Sequence, residues 1–338
     1  MREAAARLAA LIPRERLDAA VLAWAESAPT RGIWGVGFSG GADSLALLLL
    51  LWAHWPERRG RLRVLHFNHR LRGSASRADA NFCRQVARSL ALDYVGGVWR
   101  GARAGASEAD SRAARMAFFA EHARTVWLGH QQDDVAETLL MRLARGSGTG
   151  GLAAPRPVQR LPRGRMHLRP LLTLKKAELE GALRHAGAEW RVDATNAAGL
   201  YFRNRVRRAV VGPWIEAAGR DALAGAARSR MLLQEDDDAL DAWLDGLEPI
   251  EASGALRLAA LAGKPRALWR RALHRWLARH PAAGEPSRQA FDSLLAAIEA
   301  GKRTRQSLGR AGFAVSDGAA LRFVHAGKRA RTFEGRAN

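Results

Sequence analysis

The fold of this chain is decided by a stretch that reads Ile33-Trp34-Gly35-Val36-Gly37-Phe38-Ser39-Gly40-Gly41-Ala42-Asp43-Ser44 and continues as an apolar run to Leu51. The apolar residues up to Phe38 predict a buried strand, and the run that begins at Leu45 predicts a helix. The small, polar segment between them is typical of a loop. A strand, a glycine-rich loop and a helix N-terminus form an anion site, because backbone N–H groups and the positive end of the helix dipole point into the loop.

The residues of the loop predict a phosphate site that includes a metal ion. Gly40 and Gly41 allow the backbone to approach a phosphate closely, and Ser39 and Ser44 add hydroxyl donors. Asp43 would repel a bare phosphate. Its presence is explained if Mg²⁺ lies between them, since Mg²⁺ is usually held by one or two carboxylates together with phosphate oxygens.

Three known loop types can be compared with this stretch. A Walker loop requires a lysine before the final Ser or Thr, and this loop has none. A dinucleotide fingerprint matches residues 35–40, but its first two glycines lie within the predicted strand and no acidic residue ends the next strand. The remaining match, Ser-Gly-Gly-x-Asp-Ser, is the pyrophosphate loop of enzymes that split ATP into AMP and pyrophosphate. Average residue usage gives a chance occurrence on the order of once in a thousand such sequences.

Composition narrows the class of protein. A chain of 338 residues can bury a sizeable core, and we expect two domains. The formal net charge of +21 predicts a polyanionic partner, most simply nucleic acid. No apolar run is long enough to cross a membrane and the N-terminus lacks a signal-peptide core, so we expect a cytoplasmic protein. The single cysteine, Cys83, excludes an internal disulfide and a cysteine-based metal site.

Strand and helix patterns alternate from residue 33 to residue 144, which predicts an α/β fold with a twisted parallel sheet and helices on both faces. The Pro- and Arg-rich stretch that ends at Pro170 is interpreted as a loop. The sequence becomes mostly helical near Pro213, which predicts domains at 1–212 and 213–338. The smaller domain is expected to end in a β-hairpin around Ser316-Asp317-Gly318.

A second group of polar residues is predicted to lie beside the loop. Ser39, His66 and His130 each follow or end a predicted strand, and ligands of such sheets bind at the carboxyl ends of the strands. Asp134 and Glu137 are three residues apart and therefore share one helix face. Alone, acids at a helix start simply complement the dipole. Beside a pyrophosphate loop, they could hold a cationic co-substrate or a metal.

Arginines supply the remaining candidates. Arg112 and Arg115 share a helix face and could stabilise the charge that develops on the α-phosphate during adenylation, or form surface ion pairs with Glu108. In the predicted helix 265–279, Trp269 and Trp276 are interpreted as core and the opposite face as a nucleic-acid surface. The acidic run 235–238 is interpreted as solvated. The arginines predicted to contact nucleic acid are Arg203, Arg205, Arg207, Arg266, Arg270 and Arg275.

These motifs, in this order, resemble the tRNA(Ile)-lysidine synthase family of the N-type ATP pyrophosphatase superfamily. The pyrophosphate loop alone marks only the superfamily, whereas the ordered set is specific to the lysidine enzymes. The resemblance implies a PP-loop ATPase fold, like that of the adenine nucleotide α-hydrolases, followed by a helical tRNA-contacting domain. The motifs are Ser39-Gly40-Gly41-Ala42-Asp43-Ser44, His66-Phe67-Asn68-His69, Arg112-x-x-Arg115, Asp133-Asp134-x-x-Glu137-Thr138, Arg145-Gly146-Ser147-Gly148, Arg169-Pro170-Leu171-Leu172, Asp193-Ala194-Thr195-Asn196 and Arg203-Asn204-Arg205-Val206-Arg207.

The resemblance implies a carbon–nitrogen ligase that joins lysine to C2 of the wobble cytidine of tRNA(Ile) with a CAU anticodon. An adenylated tRNA would be the intermediate, and AMP and pyrophosphate the by-products. Asp134 and Glu137 would bind lysine, Asp43 would hold Mg²⁺, and Arg112 and Arg115 would act in catalysis. The implied ATP contacts are Ser39, Gly40, Gly41, Ala42, Asp43, Ser44, His66, Asn68 and His69.

Several points stay open at the level of sequence. The ε-amine of lysine has a pKa of about 10.4 and neighbouring carboxylates favour its charged form, so they either hold the α-ammonium or one of them accepts the ε proton. The sequence departs from the family pattern at Arg70, Met116 and Gln131. We also expect it to lack the extra C-terminal domain of some members, which leaves open how tRNA(Ile) is told from tRNA(Met). The oligomeric state is open too, with a homodimer considered.

Two other functional classes are considered. The first is a different PP-loop enzyme, such as a tRNA thiolase or an amide-forming synthetase. Thiolases commonly use paired cysteines, and Cys83 is alone. The second is a non-catalytic RNA-binding protein with a vestigial loop, which the intact acidic positions argue against.

Overall fold

The computed structural model describes residues 1–29, 31–69, 74–99, 101, 107–192, 202–281, 284 and 286–326. Its contacts divide the chain into two compact units, Met1–Gln234 and Glu235–Asn338. Among these residues no helix is long and apolar enough to span a lipid bilayer.

The helices and strands of the first unit follow the predicted alternation. The helices are α1 (Arg2–Leu11), α2 (Ala19–Ser27), α3 (Ala42–His54), α4 (Ser74–Ser89), α5 (Glu108–His122), α6 (Gln132–Leu143), α7 (Thr149–Leu152), α8 (Lys176–His185), α9 (Phe202–Val206), α10 (Gly212–Ala217) and the start of α11 (Ala222–Leu247). The strands are β1 (Trp34–Gly37), β2 (Leu62–Asn68), β3 (Asp93–Val98), β4 (Thr125–Trp127), β5 (Val158–Leu161) and β6 (Arg165–Leu168). A π-helical turn, Arg207–Val211, joins α9 to α10.

Within the described part of this unit the strands form one sheet in the order β3-β2-β1-β4-β6-β5, parallel except for β5, which pairs antiparallel with β6. Alternate residues of β2 face two different cores. Val64 packs in the core that contains α3, whereas Leu65 packs with Phe118 and Phe119 of α5. Helices therefore cover both faces, and the predicted fold class is confirmed.

The interpretation of the stretch before Pro170 as a loop is wrong, because it contains β5 and β6. In β6 the apolar signal is only two residues long. Met166 and Leu168 are buried on one face, while Arg165 and His167, which alternate with them, are polar and face the other side. Without a longer run of alternation, the prolines and arginines around them dominate the pattern.

The division between the units lies within α11, whereas the sequence predicts a boundary between residues 212 and 213. The start of α11 belongs with the first unit because Leu223 and Ala226 pack against Ala136 of α6. Arg230 donates a hydrogen bond to the carbonyl of Ala153 at 3.5 Å. A change from mixed to mostly helical sequence does not indicate which core the apolar face of a helix packs against.

The second unit contains the end of α11, the helices α12 (Arg266–Ala278) and α13 (Arg288–Glu299), and the strands β7 (Leu256–Arg257), β8 (Thr304–Ser307), β9 (Gly312–Ser316) and β10 (Ala320–His325). Trp269 and Trp276 lie in its core, as predicted. The predicted hairpin is β9–β10, and in the described residues it belongs to a four-stranded antiparallel sheet in the order β7-β10-β9-β8.

Carboxylates of α11 hold the basic face of α12 in this unit. Arg271 pairs with the buried Asp237 and lies 2.7 Å from Asp241, while Arg275 lies 2.8 Å from Asp241 and pairs with Asp245. The acidic run 235–238 is therefore not simply solvated, because Asp237 is buried. The apolar faces of both helices bring these charges together, which a single-helix pattern does not reveal.

Replacing Arg271 with glutamine is expected to destabilise the second unit by about 3 kcal/mol, because the guanidinium leaves a buried carboxylate. Chemical denaturation of the full chain measures this change. The matched control is Arg270→Gln, one residue away on the exposed face, which should change the free energy of unfolding by less than about 0.5 kcal/mol. Equal effects of the two variants would show that the pairing contributes nothing.

Candidate active site

The loop between β1 and α3 is closed by its two serines. The backbone N–H of Ser39 donates to Ser44 Oγ at 3.2 Å, and Ser44 Oγ donates to the carbonyl of Gly41 at 3.0 Å. The two hydroxyl oxygens are 3.0 Å apart. Gly40 has a φ of +90°, a conformation that side chains with a Cβ rarely adopt. Ser44 thus shapes the loop, in addition to its predicted role as a donor.

Asp43 lies in the first turn of α3 with one carboxylate oxygen enclosed. No hydrogen-bond partner reaches Oδ1 from the described residues. Burial, followed by the charge of Asp134, raises the pKa of Asp43 to about 7. An enclosed carboxylate oxygen beside a second carboxylate is the arrangement that a divalent cation stabilises, so these residues fit Mg²⁺.

Gly129 brings the end of β4 against this loop. A Cβ at that position would lie 2.8 Å from the carbonyl oxygen of Asp43 and 3.2 Å from Cα of Ser44. Only glycine allows the two segments to pack so closely. The approach places α6 and its acidic residues beside α3, and the sequence analysis did not single out this residue.

The side chain of His66 contacts the backbone carbonyl group of Phe38, the residue after β1. Its Nδ1 lies 2.9 Å from the oxygen of Phe38, and burial is the main cause of its lowered pKa. The ring is therefore neutral near pH 7 with the proton on Nδ1, and Nε2 is a hydrogen-bond acceptor. In the described structure Nε2 is buried without a partner.

The other two polar residues of this segment connect β2 to neighbouring helices. Asn68 Nδ2 donates to the carbonyl of Ser76 in α4 at 3.1 Å. His69 Nδ1 lies 2.8 Å from Ser111 Oγ in α5. Both side chains therefore position the helices that flank the carboxyl end of β2.

The acidic pair of α6 is held by two arginines of the chain itself. Arg203 donates from Nη2 to Asp134 Oδ1 at 2.6 Å and from Nε to Glu137 Oε2 at 2.7 Å. Arg207, one helical turn later, pairs with Glu137 through Nε and Nη2 and lies 3.7 Å from Asp134. Glu137 is almost fully buried. The predicted lysine-binding carboxylates and two of the predicted tRNA-binding arginines thus form one cluster.

Burial raises the pKa of Asp134, and the positive charge of Arg203 opposes this effect. Arg205 lies on the exposed side of the same segment, with its guanidinium 5.8 Å from the ring centroid of Phe202. The guanidinium of Arg145 lies 6.0 Å from the same ring. Of the three arginines predicted in this run, Arg205 is therefore the one on the solvent side.

Gln131, one of the departures from the family pattern, has a structural role. Its Oε1 accepts hydrogen bonds from the backbone N–H groups of Asp133 and Asp134, and Asp134 Oδ2 accepts one from the backbone of Gln131 at 3.0 Å. This reciprocal cap starts α6 and orients Asp134. Asp133 in turn accepts a hydrogen bond from the backbone N–H of Lys176 at 3.0 Å, which places α8 beside the site.

A buried arginine orients His130. Arg169 Nε donates to His130 Nδ1 at 3.2 Å, which leaves the ring proton on Nε2. Burial lowers the pKa of His130 well below its ordinary value, and the charges of Arg169, Arg203, Arg112 and Arg115 act in the same direction. His130 is thus a neutral donor. The charges of Arg112 and Arg115 therefore reach His130, which follows β4, and their role in catalysis stays a prediction.

The structure brings Arg191 to the pyrophosphate loop as well. Its backbone N–H donates to the carbonyl of Gly40 at 2.9 Å, and its guanidinium lies 3.1 Å from Asp79. No spacing in the sequence links Arg191 to the loop. The predicted motif Asp193-Ala194-Thr195-Asn196 directly after it, and Arg70, lie outside the described residues.

The predicted nucleic-acid arginines of the second unit differ in their surroundings. Arg275 is held by the carboxylates of α11, and Arg266 lies 3.4 Å from Glu299. Arg270 is exposed, without an ion pair among the described residues. Arg270 is therefore the clearest candidate of the three for contact with a polyanion.

The chain is similar to known proteins in sequence and in fold. Residues 14–213 match the PP-loop domain family ATP_bind_3. The tRNA(Ile)-lysidine synthase of Thermobifida fusca is 38% identical over 249 residues, which cover 71% of this chain and 75% of that protein. The chain belongs to the tRNA(Ile)-lysidine synthase family. Other family members are the synthases of Geobacter sulfurreducens, 38% identical over 77% of this chain and 57% of that protein, and Solibacter usitatus, 43% identical over 56% and 42%.

The chain spans about half the length of the Geobacter and Solibacter family members that it matches. Among solved structures, the U34-tRNA thiolase NcsA from Methanococcus maripaludis has a TM-score of 0.51 over 69% of this chain and 79% of that chain, at 16% identity. This likeness is one of fold alone.

Proposed function

We propose that the chain joins lysine to C2 of the wobble cytidine of a tRNA(Ile) with a CAU anticodon, with ATP as the energy source. The observation that carries this proposal is the buried acidic pair Asp134 and Glu137, of which Asp134 is close enough to the pyrophosphate loop for its charge to raise the pKa of Asp43. A buried diacidic site next to a nucleotide loop suits a cationic co-substrate. The names of the family members support the choice of lysine and tRNA(Ile).

In the first step the C2 oxygen of the cytidine attacks the α-phosphorus of ATP, and the bond from that phosphorus to pyrophosphate breaks. Loop N–H groups from Ser39 to Ser44 would bind the phosphates. Arg112 and Arg115 would stabilise the charge on the α-phosphate. The unpartnered Nε2 of His66 is an acceptor suited to the exocyclic amine of adenine.

Asp43 would hold Mg²⁺, as its enclosed oxygen suggests. When bound, the ion neutralises phosphate charge and so favours departure of pyrophosphate. The raised pKa of Asp43 is consistent with this role, because the charges of Lys176 and Arg207 only partly offset its burial and a bound cation would offset it further.

In the second step the ε-amine of lysine attacks C2, the C2–O bond breaks, and AMP leaves with the oxygen. The amine must lose a proton. Asp134 would accept this proton, because burial raises its pKa. Glu137, which lies deeper, would bind the α-ammonium. His130 is not available as a base, since its Nδ1 accepts the hydrogen bond from Arg169.

A tRNA thiolase is the second candidate, and the single cysteine argues against it. Cys83 is buried, and burial is the main cause that raises the pKa of its thiol to about 12. A thiol in that environment is a poor nucleophile.

The proposal is tested with ATP labelled at the α-phosphate, in the presence and absence of tRNA(Ile) transcript and lysine. Labelled AMP is expected only when tRNA is present, and lysidine only when lysine is added. Labelled ADP, or no turnover with both substrates, would contradict the proposal. Sulfur transfer to the tRNA without lysine would favour the thiolase.

A further inference from the structure

A cavity of about 360 Å³ lies beside α5, against the face of β4, β6 and β5. Its lining combines cationic side chains with apolar ones. The cationic side chains include Arg112, Arg124, Arg165 and Arg169, with His167 between them. Met116, Ala117, Ala120 and Leu161 contribute apolar wall. Among the described residues, no carboxylate lines this cavity.

The strand register explains why the basic residues gather here. Alternate residues of a strand share a face. Arg165 and His167 of β6, together with Arg169 directly after the strand, therefore form one row. Gln159 of β5 and Val126 of β4 are the direct neighbours of His167 on that face. The residues between them, Met166 and Leu168, turn to the core. The row leads to Arg169, which contacts His130 of the candidate active site.

The cations of this row repel one another. Burial lowers the pKa of Arg169 to about 10, and the charge of Arg112 adds to the effect. Burial also lowers the pKa of His167 to about 4, with contributions from Arg169, Arg112 and Arg165. Positive charges held this close cost free energy that a bound anion would recover. Arg169 already donates to His130, Gln159 and the carbonyl of Arg156, so an anion would be bound mainly by the other arginines of the lining.

We propose that this cavity binds one nucleotide of the RNA substrate, with its phosphate on the arginines and its base on the apolar wall. The proposal rests on the proposed function in that it takes RNA as the substrate. The volume lies at the lower end of the range for small-ligand sites, which suits one nucleotide unit rather than a duplex. The mixed lining suits the same ligand, since a nucleotide has an anionic phosphate and an apolar base face. Met116, a departure from the family pattern, belongs to the apolar wall.

The test is a pair of variants that remove one charge each from neighbouring strands. Arg165→Gln removes a cation of the cavity, while Arg160→Gln removes one from β5 that does not line it. Binding of a fluorescein-labelled anticodon stem-loop RNA is measured by anisotropy across a salt series, without ATP or lysine. Arg165→Gln should weaken binding about tenfold at low salt and reduce the salt slope by about 0.7–0.9, as for one lost phosphate contact. Arg160→Gln should change affinity less than about twofold.

A second measurement reports on the cavity directly. The imidazole of His167, assigned by comparison with His167→Gln, is titrated by NMR with and without the stem-loop RNA. A phosphate beside the arginines offsets their charge, so the pKa of His167 should rise on binding. Affinity for ATP should be equal in wild type and Arg165→Gln, which separates this cavity from the pyrophosphate loop.

Three results would overturn the proposal: equal RNA affinity for the two variants, an unchanged titration of His167, or the same titration shift with inorganic phosphate alone. The last result would identify a general anion site. Failure of the labelled-ATP assay with intact RNA binding would instead refute the proposed function and leave the cavity assignment standing. Absence of RNA binding by the wild type would refute both.

Discussion

Replacing Asp43 with asparagine is expected to reduce AMP formation by about 10²- to 10³-fold, while tRNA affinity stays within a few-fold of wild type. The effect is large because loss of preorganised charge stabilisation at a transferring phosphoryl group costs about this much. Asparagine keeps the shape of the side chain and removes its charge. Single-turnover formation of labelled AMP across a range of Mg²⁺ concentrations measures the loss.

The same variant is expected to be more stable than wild type above pH 7 in metal-free buffer. Asp43 has its pKa raised from 3.8 to about 7 in the folded protein, so the folded state binds more protons than the unfolded state between these values. The stability that this residue contributes therefore falls as the pH rises through that window. Asparagine does not ionise and avoids the cost, so the difference between the melting temperatures of variant and wild type should vanish near pH 4.

Glu180→Gln is the matched control for both measurements. Glu180 also lies in the electrostatic field of Asp43, but it belongs to α8 and not to the loop. This control should keep AMP formation within a few-fold of wild type. A wild-type rate of AMP formation by Asp43→Asn at every Mg²⁺ concentration would show that Asp43 is not the metal ligand.

Replacing Glu137 with glutamine is expected to separate the two chemical steps. Adenylation of the cytidine does not need a lysine site, so each enzyme should still release pyrophosphate once per tRNA in a single turnover. Lysidine formation should require well over tenfold more lysine, because losing one partner of a charge pair in a buried site costs about 2–5 kcal/mol. The same separation is expected for Asp134→Asn. Pyrophosphate release and lysidine are measured on the same quenched samples.

Replacing Arg207 is expected to change the lysine requirement in the opposite direction. Its side chain is 34% exposed, against 23% for Arg203, and it contacts Asp134 less closely. An incoming ammonium is therefore expected to displace Arg207 first. Arg207→Gln should lower the lysine concentration needed for half-maximal rate by several-fold. The control is Asp133→Asn, which removes a carboxylate from the first turn of α6 and should leave this concentration unchanged.

Two outcomes would contradict this account of the acidic pair. Complete loss of pyrophosphate release by a folded Glu137→Gln enzyme would place the carboxylate on the nucleotide or its metal. An unchanged lysine requirement would show that the pair binds no lysine and only favours the N-terminus of α6. Melting temperatures of all four variants are needed, since Glu137 is also the buried partner of two arginines.

The sequence by itself determined the class of the fold and the loop at its centre. The loop could be predicted because all its residues are contiguous and each type has a local reason, such as the positive φ of Gly40. The parallel sheet followed from alternating strand and helix patterns, and the acidic pair from the spacing of Asp134 and Glu137. These are features for which neighbours in sequence are also neighbours in space.

Only the tertiary structure decided which partners these residues have. Arg203 and Arg207 lie more than sixty positions from the carboxylates they contact, and nothing in a basic run tells whether it faces nucleic acid or a buried acid. The same holds for Arg271 and Asp237, which the packing of two helices brings together.

The strand β6 shows why a short strand is hard to predict from its residue pattern. Two apolar residues, Met166 and Leu168, are buried and hold β6 against the core. The role of their polar neighbours can be assigned only from the cavity that α5 forms with the sheet. Gly129 is similar, since its requirement for glycine comes from the backbone of α3. Charge, period and turn chemistry are local and can be predicted, whereas contacts between distant segments depend on how the packed elements meet.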